Sequence, residues 1–189
     1  MIDYYNYFVS EKIQTNKIND IMLTYNKIFY QVTVNTFIYI IPFCVIGGIY
    51  DMNYDMYFSI KKCIFDIILG IPLIDIFFYL LHKLFHTKYL YPYHKKHHEI
   101  IAPIGMSALY MSVTDMYFGN ILPVILPALI LSYHPITIKV WIAMAIINTI
   151  TLAHSGFKRI SDFHDYHHET FNKNFGTNIF MDKLFGTFN

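Results

Sequence analysis

Charge is scarce in this sequence: Asp, Glu, Lys and Arg make up 14% of 189 residues, against about 25% in soluble domains. With hydrophobic residues at 55%, the chain is neither disordered nor an ordinary soluble domain. Its 14 basic and 13 acidic residues nearly cancel to +1, so no positive field exists to hold a phosphate backbone, and nucleic acid is excluded as a partner. Cysteine is almost absent. Cys44 and Cys63 both sit in apolar sequence, which excludes a disulfide framework and a zinc ribbon. Also missing at the N-terminus are the basic start, short apolar run and small-residue cleavage site of a signal peptide. Residues 1–27 are therefore expected to remain as an N-terminal cytosolic segment ahead of one membrane-embedded domain, 28–189.

What the sequence does have is long uncharged runs. Ile28–Tyr50 offers 23 residues without a charge, about 34 Å as a helix, enough for a hydrocarbon layer of about 30 Å. A second run, Cys63–Leu81, is interrupted by Asp66 and Asp75, and ionisable groups at that depth face protein or a functional cavity. Met116–Ile138 is uncharged but broken by Pro123, Pro127 and His134-Pro135, which predicts a kinked span ending near Ser132. Val140–Leu152 makes a fourth helix that delivers His154 to its far end. The fold class expected is all-α, an integral membrane four-helix bundle with a histidine-rich di-metal cap. With four spans, 11 of the 14 basic residues fall on the side of the termini, including Lys12, Lys17, Lys158 and Arg159, leaving Lys61, Lys62 and Lys139 for the other. That asymmetry makes the histidine-bearing side cytosolic.

Ten histidines are present, and eight fall into three boxes: His82-Lys-Leu-Phe-His86, His94-Lys-Lys-His97-His98 and His164-Asp-Tyr-His167-His168. At 10 histidines in 189 residues, one HxxHH box is expected about 0.03 times by chance, and this chain has two. Spacings of three and four place imidazoles on one helix face, where successive turns aim nitrogens at a common point. His154, ten residues before the third box, is taken as a ninth ligand, whereas His134 lies in a loop opposite the boxes and is read as structural. So many imidazoles exceed the needs of one tetrahedral zinc. Two irons with about four or five ligands each would use them all. Asp75, Tyr79, His82 and His86 form one stripe down the second helix, so Asp75 and Tyr79 are candidates to orient a ligand. Asp165, with Asp162, Glu99 and Glu169, adjoins the boxes and is a candidate to fix an imidazole tautomer.

These residues resemble the fatty acid hydroxylase/sterol desaturase superfamily of membrane di-iron oxygenases. The resemblance runs over about Ile74–Thr187. It is carried by Asp75-xxx-Tyr79-xx-His82-xxx-His86, His94-Lys-Lys-His97-His98, His154-Ser-Gly, His164-Asp-Tyr-His167-His168-Glu and Asn174-Phe-Gly…Asp182-Lys-Leu-Phe-Gly-Thr187. His164–Glu169 and Ala108–Val113 are most similar to the 4-methyl sterol oxidase and cholesterol 25-hydroxylase branch. Lys83 stands where the family usually has arginine, and Lys158 stands where fatty acyl hydroxylases often have a second histidine, which favours the sterol side.

The resemblance implies two iron ions on His82, His86, His94, His97, His98, His154, His164, His167 and His168, with no catalytic residue beyond these ligands. It implies dioxygen as co-substrate and electrons from NAD(P)H through a cytosolic b-type cytochrome or reductase. The expected reaction is hydroxylation of an sp³ carbon of a membrane lipid, a sterol first, in the endoplasmic reticulum with both termini cytosolic. Alternatives are a fatty acyl hydroxylase or desaturase of the same metal chemistry, or a non-redox metal-binding or transport protein. Only seven residues separate His86 from His94, too few for the membrane hairpin expected between the first two boxes of a desaturase.

Overall fold

The computed structural model describes residues 18–45, 57–101, 103–154, 156 and 163–189, with side chains from Tyr25 onward. Most of the N-terminal segment, including Lys12 and Lys17, lies outside the described residues, as do Lys158, Arg159 and Asp162. Those described form helices and turns, with no strand among them.

Helix α1 (Ile18–Val34) runs on through a π-helical turn, Asn35–Ile40. Helix α2 (Ile60–Phe85) is capped by Ser59, whose Oγ accepts from the Lys62 N–H at 3.4 Å. At 26 residues it is longer than the apolar run Cys63–Leu81, because nothing breaks the backbone before Thr87, and so His82 rides on its last turn. Short α3 (Tyr91–His94) and 3₁₀ turns at His97–Glu99 and Gly105–Leu109 follow. A π-helical segment, Asp115–Ile121, leads into α4 (Leu122–Ile130), and α5 (Pro135–Ile147) ends in a third π segment, Asn148–Ala153. The chain closes with α6 (Phe163–Thr170) and α7 (Ile179–Leu184).

Among the described residues, three helices are long and apolar enough to cross a membrane: Tyr25–Val45, Ile60–Phe85 and Pro135–Ala153. The remaining expected span is Asp115–Ile130, apolar but shorter. Backbone geometry explains the shortfall. Ser132 takes a left-handed φ of 49°, Tyr133 N–H bonds back to the Ala128 carbonyl at 2.9 Å, and Pro135 starts the next helix at once. The expected four-helix membrane bundle is thus represented by three full-length candidates and one short helix.

The helices pack through a few tight points. Tyr133, Ala128 and Trp141 form a buried cluster joined by Ile67 and Ile74 of α2. Tyr133 OH donates to the Asp66 carbonyl and Trp141 Nε1 to the Val124 carbonyl at 2.8 Å. Gly70 must lack a side chain, because a Cβ there would run into Tyr133 and Trp141. Away from these contacts the helices expose Ile64, Phe65, Ile68, Phe118, Leu129, Ile146 and Ile147. Water offers nothing to such faces; hydrocarbon does.

Helix direction places the site. Helices α2 and α5 end at it, with His82 and His154, while Asp115 opens the short apolar helix beside His94. In the second half of α1, Ile28 packs with Ile100 and Tyr110 just beyond the second histidine box. One end of the helix assembly therefore collects every histidine box.

Candidate metal centre

Nine imidazoles converge there in two groups, each with one nitrogen per ring and all those nitrogens within 4.8 Å of one another. One group is His82, His86, His94, His98 and His167; the other is His97, His154, His164 and His168. These are the nine residues singled out from the sequence. His134 stays apart, capping α5 by accepting from the Ile136 N–H at 3.2 Å. Neither group comes from one element: α2, the 91–99 segment and α6 build the first, and the π segment after α5 completes the second. The groups adjoin, since the rings of His98 and His168 lie 4.7 Å apart and those of His164 and His167 5.3 Å apart.

Hydrogen bonds on the outer nitrogens decide what the inner ones can do. His82 Nδ1 lies 2.8 Å from the Phe175 carbonyl, His167 Nδ1 2.7 Å from the Lys173 carbonyl, and His154 Nδ1 2.9 Å from the Thr149 carbonyl. A carbonyl only accepts, so each Nδ1 carries the proton and each Nε2 is a bare lone pair. Asp115 Oδ2 does the same for His94 Nδ1 at 2.8 Å. The π segments matter here, because an i→i−5 pattern offers carbonyls to partners other than the usual i+4 amide. Thr149 uses this, its carbonyl taking both the His154 N–H and the His154 ring.

The inner nitrogens then face one another, and those of His82 and His94, whose outer nitrogens are both held by acceptors, do so as lone pairs. His82 Nε2 and His94 Nε2 are 3.1 Å apart, His98 Nε2 is 3.0 Å from His94 Nε2 and 3.2 Å from His167 Nε2, and His97 and His154 meet at 3.2 Å. Two lone pairs at that distance repel unless a cation lies between them. Buried atoms left without hydrogen bonds point the same way: His164 Nε2, both ring nitrogens of His168, and Asp115 Oδ1.

Burial also keeps these rings neutral. It pushes His86 down to about 2, helped by the neighbouring His167 and His94, and lowers His167 to about 3 and His154 to about 4. His97, His98, His164 and His168 are lowered further by the same desolvation and by mutual repulsion. Neutral imidazole is the form that binds metal.

The carboxylates differ from expectation. Asp75 Oδ1 accepts from Asn178 N–H at 2.8 Å and Thr177 Oγ1 at 3.3 Å, and its Oδ2 from Met181 N–H at 3.0 Å. It holds the C-terminal segment rather than an imidazole. Tyr79 OH likewise accepts from Lys83 Nζ and donates to Thr187 Oγ1, whose own proton goes to Asp182, and Glu99 accepts from Lys27 and Tyr110. Asp165 is fully buried on α6 among the imidazoles, and Glu169 is exposed. Asp115 is the acid that sequence reasoning passed over. Its signal was a lone carboxylate at the head of the uncharged run starting at Met116, and Gly119 makes room for it, since a Cβ there would meet the carboxylate. The carbonyl partners of His82, His154 and His167 had no side-chain signal at all.

Beside the imidazoles lies a cavity of about 250 Å³, bounded by α2, both C-side π segments and residues 176–179.

Comparison with known proteins agrees with this geometry. The sequence profile described as "Fatty acid hydroxylase" matches residues 67–187. Fatty acid hydroxylase domain-containing protein 2 of Homo sapiens is 40% identical over 118 residues, 60% of this chain and 35% of that protein. The very-long-chain aldehyde decarbonylase GL1-11 of Oryza sativa subsp. indica is 34% identical over 130 residues, covering 60% and 48%. A Dictyostelium discoideum protein provisionally named a methylsterol monooxygenase is 35% identical over 143 residues, covering 68% and 52%. The chain spans about a third to a half of the length of these relatives. No solved structure matches it.

Proposed function

Because the chain belongs to the fatty acid hydroxylase family, we propose that it oxidises a membrane lipid by dioxygen-dependent hydroxylation of an sp³ carbon, with two iron ions on its nine clustered histidines. A sterol is the substrate this reading favours; the support is the likeness to the Dictyostelium discoideum protein and the sequence of residues 108–113 and 164–169. Bound iron would supply the activation of dioxygen that amino-acid side chains do not provide, with electrons from NAD(P)H through a b-type cytochrome or related reductase.

The observation that carries the proposal is the convergence of nine imidazoles in two groups at one end of the helices, with inner nitrogens that meet at 3.0–3.2 Å. The first group, five imidazoles, and the second, four, would each hold one ion. The Phe175, Lys173 and Thr149 carbonyls and the Asp115 carboxylate would orient rings, and Phe175 and Phe171 would keep water from the first group by packing on His86 and His98. No residue is asked to act as a general base. The rival metal transporter would string ligands along a path across the bilayer; these nine are gathered at the ends of α2 and the α5 π segment.

We place the histidine end and both termini on the cytosolic side, in the endoplasmic reticulum, on the basic asymmetry of the sequence. Asp115→Ala should weaken metal retention about 10–100-fold by freeing His94, measured by chelator competition on purified protein. Retention equal to wild type would remove Asp115 from the site.

Isotopic dioxygen tests the reaction itself. Protein purified in detergent, reduced and supplied with a panel of sterols and fatty acyl lipids should place one labelled oxygen atom in a sterol product. An acyl chain that gains a double bond without label would establish a desaturase. Label in no product, with zinc filling the site reversibly, would end the oxygenase reading.

A further inference from the structure

The cavity beside the imidazoles is less apolar than a slot for hydrocarbon needs to be. Phe78, Leu152, Phe163 and Ile179 line part of it, but Asn120, Asn148, Thr149, Thr177 and Asn178 line the rest. Most of these polar groups are already engaged. Asn120 Nδ2 donates to Met111 Sδ at 3.3 Å, Asn178 Nδ2 to Thr177 Oγ1 at 3.3 Å, and Thr177 Oγ1 to Asp75. Asn148 and the Thr149 hydroxyl are different: among the described residues neither side chain makes a hydrogen bond, and of the two Asn148, half-buried on the π segment that also delivers His154, carries both a donor and an acceptor. An amide left unengaged beside a greasy chamber costs free energy unless a ligand or water satisfies it.

Size and opening limit what the ligand is. At about 250 Å³ the cavity is smaller than the about 300–1,000 Å³ of pockets that enclose a drug-sized ligand, so it takes the end of a lipid rather than the whole of one. Three wall residues are themselves exposed, Leu152 by 43%, Ile179 by 46% and the polar Asn178 beside it, and they mark the mouth. Leu152 belongs to a candidate membrane span, so the mouth opens towards lipid and the remainder of the substrate stays in the bilayer.

We infer that Asn148 is a specificity-determining residue: it hydrogen-bonds a hydroxyl or carbonyl on the substrate, and so selects lipids whose reacting carbon lies within a few bonds of a polar group. This rests on the oxygenase reading above and narrows its substrate class. A terminal methyl or mid-chain methylene, remote from any polar atom, would bring nothing to satisfy the amide. A carbon beside a ring hydroxyl or a lipid headgroup would.

The test is lipid binding to the purified chain loaded with zinc, which cannot turn over. The probes are cholesterol and its 3-methyl ether, and octadecanol and its methyl ether; etherification removes the donor and adds bulk while leaving the hydrocarbon unchanged. Wild type should bind one alcohol roughly tenfold more tightly than its ether. Asn148→Leu should bring that ratio to about one while still binding the ether, and Asn148→Ser should restore part of it. A wild-type ratio near one, an unchanged ratio in Asn148→Leu, or equal loss of both probes in Asn148→Leu and Asn148→Ser would each overturn the inference. Labelled product with a ratio of one sinks this inference alone. A tenfold ratio with no oxygen incorporated into any lipid sinks the oxygenase reading and leaves the binding role of Asn148 standing.

Discussion

Alanine at His97 or at His167 should abolish turnover and cost the chain the metal of the group it belongs to, whereas alanine at His134 should leave metal and turnover intact. His167 belongs to the group of five imidazoles and His97 to the group of four, so the two substitutions empty different halves of the site. Removing an imidazole costs more than the 10–100-fold loss typical of the groups that merely orient ligands. It also leaves the remaining lone pairs of that group facing one another with one fewer ligand to hold a cation. Loss of the second ion should disable turnover even where the first remains, because the groups share a wall: His98 of one packs against His168 of the other at 4.7 Å. His134 caps helix α5 and packs against the ring of Phe58, far from the imidazole groups; the cap contributes about 1 kcal/mol to stability. Metal content per chain, measured on each purified variant, decides the matter. Equal loss at all three positions would mean that histidine substitution damages the fold generally.

The second large effect is expected where there is no imidazole. Asp182 is fully buried and accepts from Phe175 N–H at 2.9 Å, Gly176 N–H at 2.7 Å and Thr187 Oγ1 at 2.6 Å. Asp75, from α2, holds the next stretch through Asn178 and Met181. Together they fix residues 175–181, and the Phe175 carbonyl within that stretch orients His82. Asp182→Ala leaves two buried backbone donors unsatisfied at about 1–3 kcal/mol each, roughly 2–6 kcal/mol in all. For a chain of this length that is a fall of at least about 4–8 °C in Tm, a large share of a total stability of about 5–15 kcal/mol. Thermal unfolding in detergent measures it. A Tm within about 2 °C of wild type would show that the C-terminal segment is held by other means.

The nine imidazoles were legible in the sequence because metal ligation demands a residue type that is otherwise rare and a spacing that helices impose. Helical character was legible for a similar reason: uncharged runs of this length have few other structures open to them. What was not legible came from tertiary contact. Asp75 shares a helical stripe with His82 and His86, and that pattern pointed it at the imidazoles; in the fold it turns to backbone amides more than 100 residues away. Asp115 stands just outside an apolar run and took its meaning only when α3 brought His94 to it. The short helix ending at Ile130 depended on a left-handed Ser132, a conformation that serine does not announce. The carbonyls of Thr149, Lys173 and Phe175 belong to the backbone and leave no trace in residue type.

One measurement goes straight to the two-metal centre: X-ray absorption on the iron-reconstituted protein, with metal and protein quantified on the same sample. The expected result is two irons per chain, a nearest shell of nitrogen and light atoms with imidazole scattering behind it, no sulfur, and a metal–metal vector. One iron per chain, a sulfur shell, or no imidazole signature would contradict the centre built here from His82, His86, His94, His97, His98, His154, His164, His167 and His168.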